Sequence, residues 1–285
     1  MVRNIQHCNC SPVPLIAVDE EGGAIERLGE RYGFRHTPSA AEIGRDSEEG
    51  ARNEYQRLAQ KLSDVGFNMN LAPVVDLNTN PTNPIIGSLD RSFSSNPLSV
   101  SRYAKIFIEE HHKQGVLTTL KHFPGHGSSS TDSHAAISDV ELSWSREELI
   151  PYQNLIGEGL MDSIMVGHLA NTAKWGGVAT QYGSGAINQI LRNDLKFDGV
   201  VLSDDLSMDA IRLTTSQLPD VIRSAVKAGV DILIVSRLND DDEGIDTGLY
   251  VRSAILDGII SGEIQRSSVE KSAQRIRSLK EGLHK

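Results

Sequence analysis

The chain has almost no cysteine: Cys8 and Cys10 are the two in 285 residues, and one residue separates them. That count excludes a disulfide-stapled fold. With no CxxC and no second cysteine pair, it also offers no zinc framework. Long apolar runs are missing as well. None reaches the ~18 residues that span a bilayer, and the opening MVRNIQHCNCSPVPL lacks the apolar stretch of a signal peptide. The sequence therefore reads as cytoplasmic, with no membrane partner. Positive charge is in deficit: 28 Lys and Arg against 38 Asp and Glu leave a formal charge of −10. A phosphate-backbone partner such as nucleic acid does not suit that balance. No repeat, charged tail or low-complexity tract breaks the chain.

What remains is ordinary globular composition, 39% hydrophobic and 23% charged, over a length that suits one large α/β barrel or two small domains. Short β-branched runs alternate with amphipathic stretches from residue 14 almost to the end. The strands expected are 14–18, 67–72, 116–120, 163–166, 199–202 and 230–235. Continuous apolar runs such as ILIV at 232–235 suit strands buried on both faces of a parallel sheet. Helical patterns cover 54–65, 98–113, 186–195, 217–228, 249–260 and 265–283. Another begins near Ser145, where SREE has the form of a capping box and Pro151 kinks or restarts the helix. Repeated βα units without a composition break predict a single domain over 1–285, either a (β/α)8 TIM-type barrel or a doubly wound sheet.

Polar residues at the strand ends favour the barrel. Asp19 follows IAV, Asp76 follows APVV, Lys121 and His122 follow VLTTL, His168 follows SIMVG, Asp204 follows GVVLS, and Ser236 and Arg237 follow DILIV. Barrel enzymes gather chemistry at the C-terminal ends of all their strands, whereas a doubly wound sheet gathers it at one switch point.

Three segments carry candidate chemistry. KHFPGHGSSSTDSH at 121–134 has a centre too rich in Gly and Ser for regular structure, and reads as a mobile loop. At its far end Asp132 and His134 stand two apart, so the carboxylate can orient the imidazole and raise its basicity; the bland reading is a solvated loop. In GVVLSDDLSMDA, Asp204 serves as nucleophile, metal ligand or helix cap, and capping is the strong reading for Asp205. In IAVDEEGGAIERL, Asp19 and Arg27 flank a Gly-Gly turn and either grip vicinal hydroxyls or pair at the surface. The nine histidines show no metal-binding pattern: His111 and His112 are adjacent, His122 and His126 lie across Pro-Gly, and no HExxH occurs. No metal or other cofactor is expected.

Taken together, DEEGG…R at 19–27, NLAPVVDLNTNP at 70–81, GSLDRSF at 87–93, KHFPGHG…TDSH at 121–134 and VVLSDDLSM at 200–208 resemble glycoside hydrolase family 3, in its single-domain β-N-acetylglucosaminidase form. The resemblance implies retaining hydrolysis of terminal β-linked N-acetylglucosamine, from peptidoglycan fragments or chitooligosaccharides, through a covalent glycosyl-enzyme. It makes Asp204 the nucleophile and His134 the acid/base, tuned by Asp132. Asp19, Arg27, Arg91, Lys121 and His122 become sugar ligands, with His168 and Met208 beside the pocket. Phosphorolysis at the same site, or a non-catalytic carbohydrate-binding fragment, are the alternatives it leaves open. Relatives of this form usually carry a strand and helix ahead of the segment matching MVRNIQ. Their lack here implies a barrel open at that edge, a pairing with another subunit such as a homodimer, or a fragment. Glu20 stands where the family commonly has Gln, and residues 171–185 match poorly.

Overall fold

The computed structural model describes residues 13–131, 137–180, 184–208, 217–236, 238 and 246–284. Its centre is a curled, six-stranded, wholly parallel sheet. The strands are β1 (Ala17–Val18), β2 (Met69–Asn70), β3 (Leu117–Phe123), β5 (Ser163–Val166), β8 (Val200–Asp205) and β9 (Ile232–Ile234), hydrogen-bonded in that order. All six expected strands are present. The architecture is an incomplete α/β barrel, with β1 and β9 at its two edges among the described residues. Cys8 and Cys10 lie outside those residues.

Side-chain alternation explains why both faces bury. Leu120, Ile164, Val166 and Val201 point to one side and join the main apolar core with Tyr55, Leu58, Ile106, Phe107, Tyr152 and Ile222 from the helices. Met69, Leu117, Met165, Val200 and Leu202 point to the other side. There they meet Ile276, Leu279 and Leu283 from the C-terminal segment, so the last helix covers the inner face of the curl.

The crossover helices start and stop where local chemistry dictates. α2 (Glu48–Val65, after the short α1 at Ala40–Ile43) is capped by the Ser47 hydroxyl, which accepts from the Gly50 N–H, and ends at left-handed Gly66. α3 (Pro97–His112) has Asn96 as its cap and Pro97 in its first turn. Near Ser145 no side-chain cap forms. A 3-10 turn (Arg146–Leu149) leads into α4 (Ile150–Gly157), which restarts with Pro151 in its first turn.

The sequence patterns do not contain the small second sheet of β4 (Ser138–Asp139), β6 (Leu169–Asn171) and β7 (Gly177–Val178). These pieces are two or three residues long, too short to show a period. They matter because β6 and β7 bring residues 171–180 back over the ends of β5 and β8. No helix among the described residues is long and apolar enough to cross a membrane.

Candidate active site

Two of the six strands carry an extra residue where chemistry was expected. Leu120 pairs with Ile164 and Phe123 with Val166, so β3 takes three steps while β5 takes two. Leu202 pairs with Ile232 and Asp205 with Ile234, so β8 does the same against β9. A bulge of this kind bends the strand and re-aims its side chains. The residues inside the two irregular stretches are Lys121 and His122 on β3, and Ser203 and Asp204 on β8.

The Lys121 ammonium is buried and bonded at 2.7 Å to Asp19 and at 2.7 Å to Glu21. Glu21 also takes a two-pronged contact from Arg91, Nε and Nη2 each donating at 2.8 Å, while Arg91 Nη1 donates to the Ile85 carbonyl at 2.8 Å. Burial alone raises the Glu21 pKa, but Lys121 and Arg91 outweigh it and hold the carboxyl far below the usual range. Burial lowers the Lys121 pKa, and Glu21 and Asp19 more than restore it, so the ammonium stays charged. Asp19 and Glu21 share one face of the extended DEEGG segment. Glu20, on the other face, is fully buried against Lys61 at 2.6 Å and accepts the Arg27 and Leu28 N–H groups.

His122 Nδ1 donates to Asp76 at 2.8 Å, which leaves Nε2 as the lone-pair nitrogen facing Arg91 Nη2 at 3.5 Å. Asp76 also accepts the His126 N–H at 2.7 Å. Its pKa ends below normal, because His122 and the His126 N–H outweigh burial. Asp204 is half-buried, and its Oδ1 accepts the Asp205 N–H at 2.8 Å. Burial would raise its pKa, but its neighbours, the Asp205 N–H and the Lys121 ammonium among them, lower it, so it stays a carboxylate.

The structure thus gathers Asp19, Arg91, Lys121, His122, Asp204 and His168 at one end of the sheet. Met208 lies against the same turn, its N–H donating to the Asp205 carbonyl at 3.1 Å. The Arg27 side chain is exposed, and its N–H is bonded to Glu20. Asp205 is a structural cap, accepting from the Ser207 and Ser236 N–H groups at 2.9 and 3.1 Å. His168 has both ring nitrogens engaged, Nδ1 with Thr180 Oγ1 at 2.8 Å and Nε2 with the Asp205 carbonyl at 3.0 Å, so neither is left for a sugar. Asp132 and His134 lie outside the described residues. Among those that are described, no group of three or more His, Cys, Asp or Glu is placed to hold a metal ion.

The FPGHGSS segment is not the mobile loop its composition suggests. Residues 123–127 and Ser129 are buried. Trp144 Nε1 donates to the Pro124 carbonyl at 3.0 Å, Asn83 donates to the His126 carbonyl at 2.8 Å, and Glu148 accepts the Gly127 and Ser128 N–H groups at 3.3 and 3.1 Å. The glycines serve close approach: a Cβ on Gly127 would stand 1.7 Å from the Leu77 carbonyl oxygen, and Gly125 sits at φ +122. The polar side chains that pin it come from distant segments, which the loop's own composition cannot reveal.

Glu148 is 1% exposed. Burial and the nearby Asp76 carboxylate raise its pKa to about 7, against the pull of the Ser128 and Gly127 contacts. A carboxyl raised in the fold holds more protons than its unfolded counterpart, so its contribution to stability shrinks as pH climbs from about 4.5 to 7. The linked difference is on the order of 3 kcal/mol. Buried His111 and His126, lowered to about 3 and about 4 chiefly by burial, slope the other way. The test is therefore differential. Between pH 5 and 8, wild type should lose stability relative to Glu148→Gln in denaturant titrations, and parallel curves would refute the assignment.

Glu21 gives a larger effect. Glu21→Leu leaves Arg91 and Lys121 with one anionic partner fewer, and breaking a buried pair costs about 3–5 kcal/mol. Denaturation midpoints should show that loss, and adding Arg91→Met should recover part of it.

The geometry defines a carboxylate- and cation-lined site at the strand C-termini of a parallel sheet, and sequence comparison gives its family. Residues 1–279 match the model of the glycosyl hydrolase family 3 N-terminal domain, and the chain belongs to that family. It is 33% identical over 243 residues to a β-hexosaminidase of Idiomarina loihiensis, covering 82% of this chain and 70% of that protein. It is 31% identical over 278 residues to β-hexosaminidase LpqI of Mycobacterium tuberculosis, covering 94% and 69%. Among solved structures it superposes on a family 3 β-N-acetylglucosaminidase from Paenibacillus sp. FPU-7 with a TM-score of 0.85 and 32% identity. That match covers 95% of this chain and spans half the length of the Paenibacillus chain.

Proposed function

We propose that this chain hydrolyses terminal β-linked N-acetylglucosamine with retention of configuration, through a covalent glycosyl-enzyme on Asp204. The observation that carries the reading is the placement of Asp204. It is an ionised carboxylate aimed by the β8 bulge toward Lys121, His122 and Arg91, with Asp19 35% exposed at the side. The printed functions of the similar proteins, β-hexosaminidase and β-N-acetylglucosaminidase, support it.

The chemistry follows from charge. A glycosidic bond breaks through an oxocarbenium-like state, which a carboxylate beside the anomeric carbon stabilises and then traps. Lys121 has a hydrogen left for a sugar hydroxyl after meeting Asp19 and Glu21. Asp19, partly exposed beside it, accepts a hydroxyl hydrogen. Asp132 and His134 supply the proton to the leaving oxygen and later activate water, in place of the second carboxylate of most retaining enzymes. The natural saccharide is a fragment ending in N-acetylglucosamine, from peptidoglycan or chitin.

The test is a panel of para-nitrophenyl β-glycosides, followed by proton NMR of the first-formed anomer, with and without phosphate. Preferential cleavage of the N-acetylglucosaminide with β-anomer released first is the expected result. Cleavage to the α-anomer, or no cleavage at all, refutes the reading, and sugar 1-phosphate as the main product replaces hydrolysis by phosphorolysis.

A further inference from the structure

The geometry points to Thr180 as a positioning residue: its hydroxyl fixes the tautomer of His168, and His168 in turn holds the carbonyl of Asp205, the residue whose N–H grips Asp204. This rests on Asp204 being the attacking group, as proposed above.

The sequence of contacts allows one assignment of hydrogens in a neutral ring. His168 and Thr180 are both fully buried. His168 Nε2 lies 3.0 Å from the Asp205 carbonyl, which can only accept, so Nε2 bears the hydrogen. Burial lowers the imidazole pKa, against the opposing pull of Asp204 and the Asp205 carbonyl, so the ring is neutral and Nδ1 carries a lone pair. The Thr180 hydroxyl, 2.8 Å away, donates to it. The same Asp205 whose carbonyl His168 holds gives its N–H to Asp204 Oδ1 at 2.8 Å. Thr180 to His168, His168 to Asp205, and Asp205 to Asp204 form one directed series.

The bulge explains why β8 needs such a brace. Asp205 closes the stretch where β8 has one residue more than β9, and an extra residue takes backbone groups out of the ladder. The Asp205 carbonyl is held from two other sides, by the Met208 N–H at 3.1 Å and by His168. Without the imidazole contact, the side of the strand end facing β5 would lose its hold, leaving Asp205 fixed by its own turn and by β9 and Ser236. Small misplacements of a reacting group are costly, on the order of 10²-fold for 1 Å. Thr180 follows β7, so this brace depends on the small second sheet.

Thr180→Val keeps the shape and removes the hydroxyl, and Thr180→Ser restores it. With para-nitrophenyl N-acetyl-β-glucosaminide, Thr180→Val should lower kcat by about tenfold to a hundredfold, with KM little changed. Thr180→Ser should stay within about threefold of wild type, since it keeps the same donor. Nitrogen-15 spectra of histidine-labelled protein, with the His168 signal identified by its loss in His168→Gln, should show hydrogen on Nε2 in wild type. In Thr180→Val they should show a mixture of tautomers.

An unchanged kcat in Thr180→Val, a loss that Ser does not repair, or a wild-type ring protonated on Nδ1 overturns the inference. A wild type inactive on every glycoside removes the hydrolase reading and the role of Thr180 with it. An active wild type with an indifferent Thr180→Val removes the role of Thr180 alone.

Discussion

Asp204→Ala should abolish turnover on every glycoside, lowering kcat by about 10⁴-fold or more, since no other group can form the covalent intermediate. The fold should survive. The substitution deletes a half-buried carboxylate whose described hydrogen bond is the one from the neighbouring Asp205 N–H, a cost of about 1 kcal/mol. Unchanged melting alongside lost activity separates chemistry from collapse. Adding azide sharpens the result, because a small anion can enter the space vacated by the carboxylate and attack the anomeric carbon. The expected product is an α-glycosyl azide, inverted where the parent reaction retains. A variant with a hundredth of wild-type activity and no azide product would place the nucleophile elsewhere.

His134→Ala should divide substrates by their leaving groups. An aglycone that needs a proton as it departs should react about 10³-fold more slowly, the usual scale of general acid catalysis. A dinitrophenyl glycoside, whose phenolate leaves unaided, should form the glycosyl-enzyme at close to the wild-type rate. Water must then attack without a base, so the intermediate should accumulate and appear as a burst of dinitrophenolate followed by slow turnover. Equal losses on both kinds of substrate would remove His134 from the acid/base role.

The strands were legible because they are short, mostly apolar runs: SIMV at 163–166 is buried throughout, while ILI at 232–234 is partly buried at the sheet edge. The rim was legible because polar residues follow the apolar runs, although Lys121 and His122 lie buried within the last residues of β3 rather than beyond it. Glu21, Asp76 and Glu148 were harder. Each is a buried carboxylate whose partners come from sequence-distant segments: Arg91 for Glu21, His122 for Asp76, the 127–128 N–H groups for Glu148. For Glu21 a signal did exist. Residues two apart in an extended segment share a face, so Asp19 at the site implied Glu21 beside it and Glu20 turned away. Thr180 carried no signal, since its role arises from a two-residue strand pairing.

The grouping of carboxylates about two fixed cations has a consequence for which co-substrate completes the reaction. Lys121 and Arg91 are already matched by Asp19 and Glu21, and Asp76 adds a further negative charge with its pKa held low, while Asp204 is neutral once esterified. A doubly charged oxyanion approaching the sugar–enzyme ester would climb a repulsive potential that a neutral molecule does not feel. Sugar hydroxyls can draw on the same residues without that penalty. Water is therefore expected to outcompete inorganic phosphate, and the glycoside assay with and without phosphate checks this.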